Sequence, residues 1–165
     1  MGPGNDMQSK RRPNRLARYD YSAPGAYFVT LCTRDRACVL GSVVGASMAR
    51  PPEVVLTEYG KAVRHAILSI PAHYPNVGVD HYVIMPNHVH LLLRIGDADG
   101  RAMLAPTVSR MVQQMKGYVT KVVGRALWQR SYYDHVVRGR RDYEAIWRYI
   151  DTNPARWVRD RFYTE

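Results

Sequence analysis

The segment His81-Tyr-Val-Ile-Met-Pro-Asn-His88-Val-His90-Leu-Leu-Leu93 decides how this chain of 165 residues is read. It divides into two strands, Val77 to Met85 and His88 to Ile95, joined at Pro86-Asn87, a pair that favours turns. Side chains alternate between faces along a strand. His88 and His90 therefore point one way, while Val89 and Leu91 point into the core. Two imidazoles one strand repeat apart can grip a divalent ion from one side. The flanking Leu91, Leu92 and Leu93 give them a rigid base. A bare His-x-His also arises by chance on half-exposed strands. His81 and His135 are further candidate ligands, but each reads more simply as a surface or hydrogen-bonded histidine.

Upstream of this segment, Tyr27 to Thr33 is rich in aromatic and β-branched residues and predicts a strand. Ala37 to Val44 is expected to pair with it, and Gly45 to Pro52 to form a loop. Tyr59 to Ile70 carries apolar residues at 59, 62, 63, 66, 67 and 70, the helical spacing. Pro71 is expected to stop that helix. Downstream, Gly96 to Pro106 reads as a loop. Thr107 can cap a helix to about Val123, with an apolar stripe of Val108, Met111, Met115, Tyr118 and Val122. Ser131 to Arg138 alternates weakly and predicts a strand, and Asp142 to Asn153 predicts a last helix ended by Pro154.

The order β, β, α, β, β, α, β, α predicts an α+β fold. The expected architecture is a mainly antiparallel, ferredoxin- or RRM-like sheet, with helices packed on one face and the two histidines on a central strand. Residues 21–165 are expected to form one domain. Residues 1–20 read as a flexible basic arm carrying Arg11 and Arg12.

Charge is distributed unevenly. Lys and Arg number 24 against 14 Asp and Glu, a formal charge of +10. Residues 1–20 hold five basic and two acidic side chains, net +3; residues 21–100 hold six of each; residues 101–165 hold thirteen and six, net +7. The middle reads as scaffold, and the two ends as surfaces that meet phosphate. The alternative is solvated faces that keep the chain soluble. Cys32 and Cys38 are too few for a disulfide framework and lack zinc spacing. No run approaches the roughly 18 apolar residues of a membrane helix, so a reduced, cytoplasmic protein is expected.

The string Met85-Pro-Asn-His88-Val-His90-Leu-Leu-Leu93 closely resembles the His-hydrophobic-His signature of HUH nucleases. More narrowly, it resembles the single-tyrosine transposases of bacterial insertion sequences and their REP-associated relatives. Four more stretches agree in order: Tyr19-Asp-Tyr-Ser-Ala-Pro-Gly-Ala-Tyr-Phe28, Leu127-Trp-Gln-Arg-Ser-Tyr-Tyr133, Tyr149-Ile-Asp-Thr-Asn-Pro154, and Asn153-Pro-Ala-Arg-Trp157 followed by Asp160. The resemblance spans roughly residues 19–160.

Of twelve tyrosines, two stand on predicted helices where a nucleophile is sought. Tyr118 has Lys116 nearby but lies on the apolar stripe of its helix, where a tyrosine is usually core. Tyr149 is different. The last helix has its stripe at Tyr143, Ile146, Trp147 and Ile150, and at about 100° per residue Tyr149 falls outside it. Asn153, four residues on, lies on the same flank. The resemblance then implies that Tyr149 is the nucleophile, with Tyr118 as runner-up, and that Asn153 is a third metal ligand beside His88 and His90. Asn is a shorter arm than Gln, and a following proline disfavours the α region at residue 153.

The resemblance implies an enzyme that cuts single-stranded DNA through a 5′-phosphotyrosine, uses Mg2+ or Mn2+, recognises hairpin DNA and works as a homodimer in many relatives. Lys116, Lys121, Arg130, Arg138, Arg140 and Arg141, with Arg11 and Arg12 of the arm, are the candidate DNA contacts. Trp128, Tyr132 and Tyr133 are candidates for stacking on bases, although Trp128 and Tyr132 suit the core equally. Two other readings stay open: a domesticated protein that binds hairpin DNA or RNA without cutting it, and a metal-dependent hydrolase of small substrates, which has no need of the basic ends.

Overall fold

The structure is a computed structural model and describes residues 19–45, 51–97 and 107–164. The expected basic arm with Arg11 and Arg12, and most of the two long loops, lie outside the described residues.

Four strands form the main sheet: β1 (Gly25–Cys32), β4 (Val77–Ile84), β5 (His88–Ile95) and β6 (Tyr133–Val136), in the order β4-β5-β1-β6. Every pairing in it is antiparallel. With α1 (Glu58–Leu68) between β1 and β4, and α3 (Val108–Val123) between β5 and β6, the core order is β-α-β-β-α-β. That is the ferredoxin-like arrangement, and the α+β class and antiparallel sheet match expectation. Thr57 and Thr107 cap α1 and α3 through side-chain oxygens that accept from Gly60 N and Arg110 N. Gly124, at φ 73°, ends α3 in the left-handed conformation. The β4–β5 hairpin closes over Pro86-Asn87, with Met85 N donating to His88 O.

Two local expectations are corrected. Ala37 to Val44 does not pair with β1. Gly41–Val44 (β2) instead pairs with Glu53–Leu56 (β3) in a separate two-stranded ribbon. The reason is that β5 and β6 already occupy both edges of β1; Tyr27, for example, faces Leu93 on one side and Val136 on the other. Pro71 also does not end the helical run. It sits at the start of a short second helix, α2 (Ile70–His73), where its missing N–H costs nothing.

The helices divide between the faces. The large core joins Tyr27, Val29 and Leu31 of β1 and Val89, Leu91 and Leu93 of β5 to α1 and α3. The alternate residues, Phe28 and Leu92, pack with Ile146 and Ile150 of α4 (Gly139–Thr152). Helices on one face therefore describe the ferredoxin-like core but not α4, which lies across the other face. The stripe of α3 is also shifted from expectation. Val108, Met111, Val112, Met115 and Val119 are buried, whereas Tyr118 is 45% and Val122 56% exposed. The buried set follows the spacing 108, 112, 115, 119 and leaves 118 and 122 on the flank.

Candidate active site

The face that α4 covers carries His88 and His90 on a central strand. Both are fully buried, because β5 lies between β4 and β1 and α4 packs above it. Their rings meet edge to face at 4.6 Å. Each ring is oriented through Nδ1. His88 Nδ1 is 2.9 Å from Asn87 Oδ1, and His90 Nδ1 is 2.8 Å from Thr30 Oγ1. Thr30 reaches His90 because the β1–β5 register sets them opposite each other. Nδ1 of His88 must donate to the Asn87 oxygen, which leaves the Nε2 lone pair free.

The Nε2 atoms of both histidines and Oδ1 of Asn153 are buried without a hydrogen-bond partner. Buried polar atoms seldom go unpaired. Three such acceptors from β5 and the end of α4 match the donor set of a divalent ion. The ligand atoms of His88, His90 and Asp160 also fall within 4.8 Å of one another. Asp160 has a further part: it accepts from Asn153 Nδ2 at 2.9 Å and from Phe162 N at 2.7 Å. The first bond turns the amide so that its oxygen stays unused. Asn153 keeps helical angles, φ −59° and ψ −43°, despite Pro154, so the expected bend before the proline does not occur.

Burial decides the protonation here. It pushes His88 down to about 4, against the opposing pull of Asp160 and the Asn153 amide. It drives His90 well below the ordinary histidine value, with His88 and Arg161 acting the same way. Both rings are therefore neutral at pH 7, the form that binds metal.

Tyr149 projects from α4 onto this pair. Its ring centroid lies 5.0 Å from that of His90 and 6.0 Å from that of Phe28. Burial raises its phenol above the usual value, as does the charge of Asp160, while Arg161 and Asn153 pull it down. The site thus holds a phenol that needs a cation to ionise. Tyr118 lies on α3, across the sheet, where it stacks on His65 of α1 at 5.9 Å. The structure brings His88, His90, Tyr149 and Asn153 together and leaves Tyr118 apart.

The family model for IS200-like transposases matches residues 53–153, a span that contains both histidines, Tyr149 and Asn153. The chain belongs to the IS200-like transposase family. An uncharacterised protein of Haemophilus influenzae is 30% identical over 94% of both chains. The REP-associated tyrosine transposase of Escherichia coli is 26% identical, covering 84% of this chain and 73% of its own. A solved REP-associated tyrosine transposase bound to a REP hairpin shares the fold, with a TM-score of 0.63 at 24% identity over 86% of this chain and 73% of that one.

The other predicted residues are dispersed. Lys121, Arg130, Arg138, Arg140 and Arg141 are exposed. Arg140 pairs with Glu144 at 2.6 Å. Lys116, a candidate DNA contact, donates from its ammonium to the carbonyls of Gln129 and Arg130 at 2.6 and 3.3 Å, tying α3 to the approach to β6. Trp128 is core, Tyr132 is partly buried, and Tyr133 is 43% exposed. His135 bonds Asp142 at 2.9 Å, and His81 stacks on Trp147 at 4.4 Å, so neither joins the central pair. Among the described residues, no helix is long and apolar enough to cross a membrane.

Sequence reasoning passed over Thr30, Asn87, Asp160 and Phe162. Asn87 Nδ2 donates to Phe162 O at 2.7 Å, and the Phe162 ring packs 4.6 Å from His88. Within the quoted motifs Asn87 stood only as a turn residue and Asp160 without a role. Nothing in the sequence places Thr30 or Phe162 at the site.

Proposed function

We propose that this transposase-family protein is a strand transferase that cuts and rejoins single-stranded DNA beside a hairpin, with Tyr149 as nucleophile. The observation that carries the reading is the set of three unpaired buried acceptors, on His88, His90 and Asn153, beside the Tyr149 ring. Those three residues would hold Mg2+ or Mn2+, with Asp160 close by. Such a cation supplies charge that favours a phenolate and polarises a phosphate oxygen. Asn87 and Thr30 orient the imidazoles, and Asp160 orients the Asn153 amide. Attack by the phenol oxygen yields a 5′-phosphotyrosine and a free 3′-hydroxyl, and the covalent bond keeps the energy needed for rejoining.

The hairpin bound by the solved relative supports DNA as the partner. Exposed Lys121, Arg130, Arg138, Arg140 and Arg141 are the residues proposed to hold its phosphates. A non-cleaving hairpin binder is the second reading. It is favoured by the cover that Phe162 places over His88, which leaves neither Nε2 in contact with solvent.

Incubation with labelled single-stranded DNA and Mn2+, followed by denaturing electrophoresis, separates the two. The expected result is a covalent adduct that is lost in Tyr149→Phe and kept in Tyr118→Phe. An adduct that survives Tyr149→Phe moves the nucleophile elsewhere. Hairpin binding with no adduct supports the second reading.

A further inference from the structure

A cleft of about 360 Å³ opens on the same face of the sheet, beside the histidines. Its floor is Thr30 and Cys32 of β1, and its walls include Arg36, Gln129, Tyr133 and Arg161. Arg36 does not stand among the DNA contacts expected from sequence. The Arg161 guanidinium lies 5.8 Å from the Tyr133 ring and 4.6 Å from the Phe162 ring. Gln129 is held by its backbone: its N–H donates to Cys32 O at 2.9 Å, and its carbonyl accepts from Lys116 at 2.6 Å. Gln129 lines the cleft. An exposed aromatic ring, two guanidiniums and the amide of Gln129 offer, respectively, a stacking surface, phosphate contacts and a donor–acceptor pair for a base edge. Together they suit one unpaired nucleotide.

The position of the cleft sets the polarity of the strand. Phe28, Thr30 and Cys32 follow one another on the same face of β1, and Thr30 bonds His90. Tyr149 meets the pair on the Phe28 side. The cleft's floor, Thr30 and Cys32, lies opposite His90 and His88 in the β1–β5 register, and its Tyr133 wall stands beyond β1 on β6. Nucleophile and cleft therefore flank the histidines. In phosphoryl transfer the attacking and leaving oxygens lie roughly in line across the phosphorus.

Resting on the strand-transferase reading above, we propose that the cleft receives the nucleotide immediately 5′ of the scissile phosphate. The Tyr149 oxygen bonds to phosphorus as the bond from phosphorus to O3′ breaks; the phenolic proton passes to solvent, and O3′ takes one up from solvent. The departing 3′-hydroxyl end is thereby left in the cleft, placed for the reverse attack. Tyr133 stacks on its base, Gln129 meets the base edge, and Arg161 and Arg36 hold its phosphate.

The test uses a single-stranded DNA pool of randomised sequence with Mn2+. Adducts are trapped by denaturation, and the released 3′-hydroxyl fragments are sequenced. The wild type should show a base preference at the last nucleotide of those fragments. Tyr133→Ala and Gln129→Ala should flatten it, with Tyr133→Ala lowering adduct yield about tenfold, a typical worth for one base stack; Tyr133→Phe should restore both. A preference confined to the tyrosine-linked fragment, or one unchanged in both variants, overturns the assignment. In parallel, Tyr149→Phe protein is crosslinked by ultraviolet light to a bromodeoxyuridine-substituted pool, and the attached peptides are mapped. Crosslinks at Tyr133 or Phe162 are expected, and crosslinks confined to other faces overturn the cleft as a nucleotide site. If the wild type yields no adduct, the polarity falls with the transferase reading, and cleft crosslinks then show that nucleotide binding survives alone.

Discussion

The two faces of the main sheet are built from the same strands and do opposite things. Toward α1 and α3, residues 27, 29 and 31 of β1 meet 89, 91 and 93 of β5 in an unbroken apolar layer. Toward α4, Phe28, Leu92, Ile146 and Ile150 form a smaller buried cluster, with Tyr143 and Tyr149 among the residues packed against it, and beside it stand Thr30, His88 and His90, all buried. A period of two separates stability from chemistry residue by residue. The first face carries the larger core, while the second holds buried polar atoms without partners, an arrangement that costs free energy until a ligand satisfies it.

Substitutions that respect this division should give separable outcomes. The largest effect is expected for His90→Ala. Adduct formation should fall by about a thousandfold or more, the scale of losing a principal electrostatic contributor. Mn2+ should raise the melting temperature of the wild type, as a ligand that binds the folded state alone does, and should cease to do so in this variant. A Mn2+ shift that persists in His90→Ala would place the ion elsewhere.

On the opposite face, Leu91→Ala should cost about 2–5 kcal/mol of stability through the cavity it leaves. Denaturant titration measures this. Adduct yield per folded molecule should stay near wild type, and a collapse at full folding would mean that the faces are coupled.

Acid should act on the α4 face alone. In metal-free protein, His88 takes its proton only near pH 4 when folded, against about 6.5 unfolded. As pH falls from 6.5 toward 4, the unfolded chain binds protons that the folded chain refuses, and stability declines by up to about 1.4 kcal/mol per unit for one such group. His90 shifts in the same direction and steepens the decline. Melting curves in EDTA between pH 7.5 and 4.5 should show the loss, and His88→Gln should blunt it. A flat profile would mean that the rings accept protons without resistance.

The smallest effect is expected for Arg140→Ala. Its exposed partner Glu144 stands one helical turn away, a pair worth about 0.3–0.5 kcal/mol. If hairpin affinity falls well beyond that, with a shallower salt dependence, Arg140 holds a phosphate.

Local sequence determined a good deal. The span His88–Ile95, the turn at Pro86-Asn87 and the cap at Thr107 follow from alternation, turn chemistry and helical period. Each depends on neighbours within a few residues. The stripe expected on α4 is shifted, since Tyr149 packs against its apolar cluster, Asn153 is buried and Trp147 is 38% exposed. Which strand β2 chose, which face α4 covered, and that Tyr118 stands across the sheet from the histidines were settled by tertiary structure. So were the roles of Thr30, reached only through the β1–β5 register, and of Phe162, brought over His88 by Asn87. These are contacts between residues far apart in the chain, and no local pattern encodes them, because each arises only when competing strands and helices have filled the other places.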